Sequence, residues 1–314
     1  MSIDIQVNRK KFVLMDNFLL TIVGPTAVGK TGLAIELAQY YKTEIISADS
    51  RQLYHEMELG TAKPDKNELA AVPHHFINSH SIFDEVSAGR FEKMALTTIG
   101  KLFKTKKLLI MVGGSGLYID AVTSGFAEIP EVDAGIRSKL NEQLEEEGLE
   151  KLTDYLKRVD PAYFAMVDLN NPQRVVRALE VYEGTGIAYS HWRKPVAGKR
   201  DFQTIRIGLE LDKAKLYERI DRRMDSMIEA GLFGEAEKLF EYRHLNALQT
   251  VGYREIFGYL EGLYEREECI RLLKRNSRRY AKRQMTWFKK DGSIRWFAPD
   301  DCEGVINYVM TVTS

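Results

Sequence analysis

Short apolar strands alternate with helices over roughly the first 125 residues, a glycine-rich turn joins the first strand to its helix, and the middle of the chain is helical. These observations predict an α/β protein: a P-loop NTPase-like parallel sheet with flanking helices and an inserted all-helical domain. The expected division is residues 1–125 and 201–314 for the sheet domain, with a C-terminal basic helix, and 126–200 for the insertion.

The first strand is 18–23. It ends at Gly24, and Gly29-Lys30-Thr31 follows at the Walker A spacing. A helix comes next, with Leu33, Ala34, Leu37, Ala38 and Tyr41 on one face. In that setting the loop Gly24, Pro25, Thr26, Ala27, Val28, Gly29, Lys30, Thr31 is a phosphate cradle rather than a plain glycine turn. Its amides and the helix N-terminus attract phosphate oxygens. Lys30 adds a charge, and the Thr31 hydroxyl suits a Mg²⁺ ion bridging two phosphates. Glu44 to Asp49 reads as a short strand ending in a carboxylate, Phe91 to Lys101 as a helix, and Lys107 to Val112 as a buried strand ending in Gly113-Gly114-Ser115-Gly116. Ligands in such sheets bind beyond the carboxyl ends of the strands, so the loop, Asp49 and Ser115 should gather on one edge.

Helical spacing then takes over, in Ile136, Leu140, Leu144 and in Leu149, Leu152, Leu156, Val159. Asp160-Pro161 breaks it. Asn171-Pro172 starts a helix with an N-cap and a proline at its first position, running to Gly184-Thr185-Gly186. Strand-like sequence resumes at Ile205–Leu211, a helix runs from an Asp212 cap to Gly231, a long segment spans Glu267–Lys290, and Ile294–Phe297 reads as the last strand.

The chain has 314 residues, 44% of them hydrophobic, with 45 basic and 45 acidic side chains. Net charge therefore names no partner, and any nucleic-acid surface must come from local clustering. Cys269 and Cys302 stand far apart in no metal-ligand spacing, which fits a reducing compartment. The first residues carry no apolar leader pattern, and no apolar run approaches the roughly 18 residues of a membrane span. A cytoplasmic monomer with no obligate protein partner is expected.

Asp49 could serve as a general base or hold a metal-bound water, or it could simply cap the next turn. The strand ending at Val112 lacks the acid of a Walker B element, which argues against an ATPase or motor. Its glycines suit close approach of the backbone to a ligand. Arg219, Arg222 and Arg223 could steady a leaving diphosphate or form a solvated face. Gln173, Arg174 and Arg177 could grip a phosphate backbone or pair on the surface. From Arg271 to Lys290 there is no acid, and Arg271, Arg275, Arg278 and Lys282 form a helical stripe. A neutral chain that concentrates charge this way points to a large polyanion, unless acids such as Glu145 to Glu147 neutralise it. Tyr280, Trp287, Phe288 and Trp296 read as core, and His74-His75 as ordinary hydrogen-bonded histidines.

Several ordered motifs now resemble one family, the tRNA dimethylallyltransferases, or isopentenyl-tRNA transferases. They are Gly24 to Thr31, Ser47-Ala48-Asp49-Ser50-Arg51-Gln52-Leu53-Tyr54, Gly60-Thr61-Ala62-Lys63-Pro64, His74 to Ile77, Ser87 to Phe91, and Gly113 to Tyr118. Asn171 to Val181, Val251-Gly252-Tyr253-Arg254-Glu255 and Ala281 to Phe288 continue the series over nearly the whole chain. The resemblance implies transfer of a dimethylallyl group from its diphosphate, with Mg²⁺, to the exocyclic amine of the adenosine 3′ of the anticodon. It implies that Asp49 accepts the amine proton, and that Thr31 and Arg223, beside Lys30, stabilise the departing diphosphate. It implies tRNA contacts at Asp49, Ser50, Arg51, Gln52, Ser115, Arg137, Gln173, Arg174, Val175, Val176, Arg177, Gly252, Tyr253 and Arg254, to which the stripe adds Arg275, Arg278 and Lys282. Ser115 stands where threonine is more usual. The zinc-finger extension of eukaryotic relatives is absent, as in bacterial-type members. A small-molecule kinase explains residues 18–54 but not the basic helix. An RNA-binding protein without chemistry explains the helix but leaves Asp49 idle.

Overall fold

The computed structural model describes residues 17–125, 129, 132–192 and 200–313. The first residues, read for a leader, and Phe126, read as the start of the insertion, lie outside them. In chain order the elements begin with β1 (Phe18–Val23), α1 (Lys30–Tyr40), β2 (Ile45–Ser47), α2 (Lys66–Ala71), β3 (His74–His75), α3 (Ala88–Leu102), β4 (Leu108–Val112) and α4 (Gly116–Ser124). Five helices follow: α5 (Ala134–Glu147), α6 (Leu149–Val159), α7 (Pro161–Phe164), α8 (Pro172–Thr185) and α9 (Tyr189–Trp192). The chain returns through β5 (Gln203–Leu209), α10 (Lys213–Glu229), α11 (Leu232–Lys238), α12 (Tyr253–Leu260), α13 (Arg266–Phe288), β6 (Arg295–Phe297) and α14 (Cys302–Thr313).

The six strands form one parallel sheet in the order β3-β2-β4-β1-β5-β6. From β1 the chain moves outward to β2 and β3, returns to β4, then crosses to β5 on the other side of β1. The reversal lies at β1 and β4, which puts the crevice at their carboxyl ends. Both faces of the sheet are covered, so its strands alternate between two apolar layers. Leu19, Val23, Ile46, Leu109 and Met111 face one layer with Phe91 of α3. Leu20, Ile22, Ile45, Ile110 and Ile207 face the other with Leu33, Ala34 and Leu37 of α1.

Backbone contacts divide the chain between Thr123 and Ser124 and between Lys199 and Arg200. Arg200, placed in the insertion by sequence, belongs with the sheet unit. Its guanidinium donates to the carbonyls of Ala121 and Val122 and pairs with Glu92. The helical unit has its own core of Leu140, Leu152, Leu156, Tyr163, Val175, Val176 and Leu179. Asn171 caps α8 by accepting the Arg174 N–H, with Pro172 at the first position.

Short elements held by tertiary contacts escape a periodicity reading. β3 has two residues at the sheet edge. α2 rests on a capping box between Asp65 and Glu68. Glu235 of α11 accepts the N–H groups of Glu58, Leu59 and Gly60 at 3.0, 2.8 and 2.9 Å, and the Tyr253 hydroxyl at 2.6 Å. One carboxylate thus ties the loop before α2 to the start of α12.

Candidate active site

The phosphate loop follows from where its backbone must turn. Gly24, at φ +144°, abuts β5 so closely that a Cβ would lie 2.7 Å from the Leu209 carbonyl oxygen. Gly29, at φ +112°, starts α1 without a side-chain cap, leaving the first amides of that helix for an anion. Lys30 Nζ donates to the carbonyls of Gly24 and Pro25 at 3.0 and 2.8 Å. Arg223 donates to the Thr26 hydroxyl, and Arg219 Nη1 reaches the Val28 carbonyl at 3.2 Å. The inner face of α10 therefore meets the loop. Arg222 alone takes the solvated role, paired with Glu218. Burial lowers the Lys30 ammonium to about 8; nearby Asp49 pushes it up and Arg223 pushes it down. Burial also lowers Arg223, with Asp49 opposing.

A cavity of about 270 Å³ opens over this loop. Lys30, Thr31, Arg223 and Asp49 give it charge and polarity, while Ala34, Ala62, Pro64, Ile77 and Val112 give it apolar wall. Such a lining matches a diphosphate with a short apolar tail. Among the described residues no three His, Cys, Asp or Glu side chains cluster as a metal cage. Mg²⁺ needs no such cage: one protein hydroxyl, phosphate oxygens and water suffice, and Thr31 lines the cavity at the first turn of α1.

Asp49 caps the next turn and also lines the cavity. Oδ1 accepts the N–H groups of Arg51 and Gln52 at 2.9 and 3.4 Å, which leaves Oδ2 outside these two bonds. Ser115 accepts the Ser50 N–H at 2.9 Å and donates to the Ser50 hydroxyl at 3.1 Å, so it buttresses this turn. The glycines after β4 serve close approach, but to the protein itself. A Cβ on Gly113 would lie 2.2 Å from the Ala48 carbonyl oxygen, and one on Gly114 2.2 Å from Gln284 Nε2. Gln284, part of the Ala281 to Phe288 motif but given no role by sequence, takes the Thr26 N–H on Oε1 at 2.8 Å and donates from Nε2 to Gly114 O at 3.0 Å.

Beside the cavity lies a cleft of about 570 Å³. Five guanidinium groups line it: Arg51, Arg254, Arg275, Arg279 and Arg283. Its carboxylate, Glu255, is occupied by Asn276 at 2.7 Å and the Gly252 N–H at 2.8 Å. The expected stripe on α13 is thus rotated. Arg275, Arg279 and Arg283, four apart, form the wall. Arg278 faces α10, where both oxygens of Asp221 hold it at 2.5 and 2.6 Å. Lys274 pairs with Asp225 at 2.6 Å, and Arg271 with Glu268. Lys282 is exposed and does not line the cleft. Acids of α10, rather than Glu145 to Glu147, neutralise this flank.

Other readings also shift. Tyr280 lines the cleft instead of the core. Trp287 is exposed, donating to Asp120 at 3.0 Å, whereas Phe288 is core and Trp296 packs beneath Lys289. Tyr253 is fully buried, and its side chain serves Glu235 rather than a surface. Gly252, at φ +105°, starts α12, with Val251 and Arg254 reaching the cleft. The histidines behave as expected: His75 bonds Glu44 at 2.8 Å and His74 the Val72 carbonyl at 2.9 Å. Within the helical unit, Val175 and Val176 are buried, Gln173 and Arg174 are exposed, and Arg137 and Arg177 share Glu180 at 3.8 and 3.1 Å.

Known proteins share this chain's sequence and fold. The model of the IPP transferase family matches residues 52–291. The chain belongs to that family. A tRNA dimethylallyltransferase of Cytophaga hutchinsonii is 48% identical over 295 residues, covering 94% of this chain and 97% of its own length. The crystal structure of the full-length tRNA isopentenylpyrophosphate transferase of Bacillus halodurans is 37% identical, with a TM-score of 0.70 over 95% of this chain and 97% of that one. A eukaryotic dimethylallyltransferase crystallised acting on tRNA gives 0.72 at 28% identity, over 91% of this chain and 75% of its own. Within the described residues no helix is long and apolar enough to cross a membrane.

The depressed Lys30 ammonium should make anion affinity at this loop pH-dependent. An anion favours the charged amine, so binding is strongest below about 8 and must take up a proton above it. Calorimetric titration with methyl diphosphate should show affinity falling toward about tenfold per pH unit above that point. Lys30→Arg, which stays charged, should flatten the fall. A pH-independent affinity in the unaltered protein would contradict the assignment.

Proposed function

We propose that this chain transfers the dimethylallyl group of dimethylallyl diphosphate to the exocyclic amine of the adenosine just 3′ of the tRNA anticodon, position 37. One observation carries the reading: a single turn separates the two hollows. Asp49 and Gln52 line the phosphate-loop cavity, and Ser50 and Arg51 line the arginine cleft. A donor held in the first and an RNA strand held in the second therefore meet at Asp49. The names of the relatives, which denote tRNA prenyl transfer, support the same substrates.

The chemistry follows from the groups present. An aromatic amine is a weak nucleophile, so the allylic C–O bond must loosen first. Its electron pair leaves with the diphosphate, whose charge Lys30 and Arg223 offset, with Thr26 and Thr31 as hydroxyl partners. Mg²⁺, held through Thr31 and the donor's own oxygens, would add Lewis-acid neutralisation of that leaving group. The amine nitrogen bonds to the freed carbon, and its proton passes to Asp49 Oδ2. The adenine has to leave its stack, at a cost of a few kcal/mol, roughly, which phosphate contacts in the cleft repay. RNA contacts are assigned to Arg51, Arg254, Arg275, Arg279 and Arg283, with Gln173 and Arg174 on the helical unit. A kinase reading has less support: glycines occupy the Walker B position, and a small acceptor has no use for five cleft arginines.

Two expectations test this. Asp49→Asn keeps an oxygen for the Arg51 and Gln52 amides, so folding and donor binding should persist. Single-turnover transfer should slow by about 10²- to 10⁴-fold. A variant at the unaltered rate would remove Asp49 from proton transfer. Arg275→Glu with Arg279→Glu should weaken binding of an anticodon stem-loop and lower its salt slope by about two phosphates' worth. Arg278→Glu should spare that slope, because Arg278 is committed to Asp221. Equal effects from both variants would mean that the cleft is not the RNA site.

A further inference from the structure

Gln284 of α13 stands between the two hollows. One helical turn before it stand Tyr280 and, beside it, Arg283, both in the cleft wall. Its own amide, buried at 6% exposure, reaches the opposite way, into the phosphate loop. There it bridges the Thr26 N–H and the Gly114 carbonyl at 2.8 and 3.0 Å, joining the loop after β1 to the loop after β4. The fit leaves no slack, since a Cβ on Gly114 would sit 2.2 Å from the amide nitrogen. A shift of α13 is therefore passed directly to the phosphate loop. The bridge also needs an acceptor and a donor on one side chain of this length. Glutamate would keep the acceptor but set a carboxylate against a carbonyl, methionine offers neither strong donor nor strong acceptor, and asparagine is one methylene short.

We propose that Gln284 is a positioning residue that couples the acceptor cleft to the phosphate loop. RNA seated on Arg275, Arg279 and Arg283 fixes α13, and Gln284 then holds Thr26, and with it the Arg223 partner hydroxyl, in place for the diphosphate. By linkage the donor tightens RNA to the same factor. This rests on the proposed transfer reaction, and goes beyond it by making donor affinity depend on RNA through one amide.

The test uses the full chain, an unreactive dimethylallyl thiodiphosphate and an anticodon stem-loop. Calorimetry should find the analogue bound at least about fivefold tighter with saturating RNA than without, and Gln284→Met should bring that ratio to about one. RNA affinity in the absence of donor should change far less than that ratio, because Gln284 itself does not line the cleft. In turnover, Gln284→Met should raise the donor KM at saturating RNA more than it lowers kcat. A second measurement needs no variant: RNA alone should slow amide hydrogen exchange at residues 26–28 of the unaltered protein. A wild-type ratio of one, an unchanged ratio in Gln284→Met, or unaltered exchange would overturn the coupling. Failure of the wild-type protein to bind either ligand would instead sink the transferase reading, and this inference with it.

Discussion

The proposed transfer sets one constraint on this site: a diphosphate has to be held, and then released as a still more negative leaving group, where little water can screen it. The loop after β1 meets that constraint with buried positive charge on two sides. Lys30 comes from α1 and Arg223 from α10, and Asp49 is the carboxylate between them. Burial depresses both cations, so the site is costly until an anion arrives. That cost favours diphosphate binding, and it explains why Lys30 rests on the loop's own carbonyls and Arg223 on Thr26. The sheet order makes the arrangement possible. Only where the chain reverses direction, at β1 and β4, do two loops diverge enough to leave such a hollow.

The same edge governs how an RNA could reach the donor. Gly113 and Gly114 let the loop after β4 lie against Ala48 and Gln284, where an acid in a hydrolytic P-loop enzyme would hold metal. The space saved admits α13, which turns three arginines to the cleft and one amide to the phosphate loop. Asp49 then stands on the partition. Its first oxygen shapes the turn, and in the proposed reaction its second would take the proton, so neither role would displace the other.

Much of this was legible in the sequence because it is local. Glycine spacing between a strand and a helix defines a phosphate loop within a dozen or so residues. Asp49 is marked by its strand end, and Asn171-Pro172 and Asp212 are marked by cap chemistry. What could not be read depends on which faces of distant segments meet. The cleft face of α13 lies one position round from the stripe the spacing predicts, because its phase is set by α10. A signal did exist: Asp221 and Asp225 are four apart, as are Lys274 and Arg278, and they pair. Glu235 carries no local mark at all, and Gln284 and the two-residue β3 lie inside motifs whose spacing does not tell what they bond. Tyr253, singled out with a cluster of contact residues, is buried because Glu235 draws its hydroxyl inward.

The central claim is that the phosphate loop presents an allylic diphosphate, not a nucleotide's phosphoryl group, to an RNA amine. The most direct measurement follows two labels in the pure protein with Mg²⁺ and an anticodon stem-loop: carbon in the dimethylallyl group and phosphorus in the γ-phosphate of ATP. The account predicts carbon label on the adenine amine, free diphosphate in equal amount, and no phosphorus label on RNA or nucleoside. Transfer of the γ-phosphate to any acceptor, with the RNA left unprenylated, would contradict it.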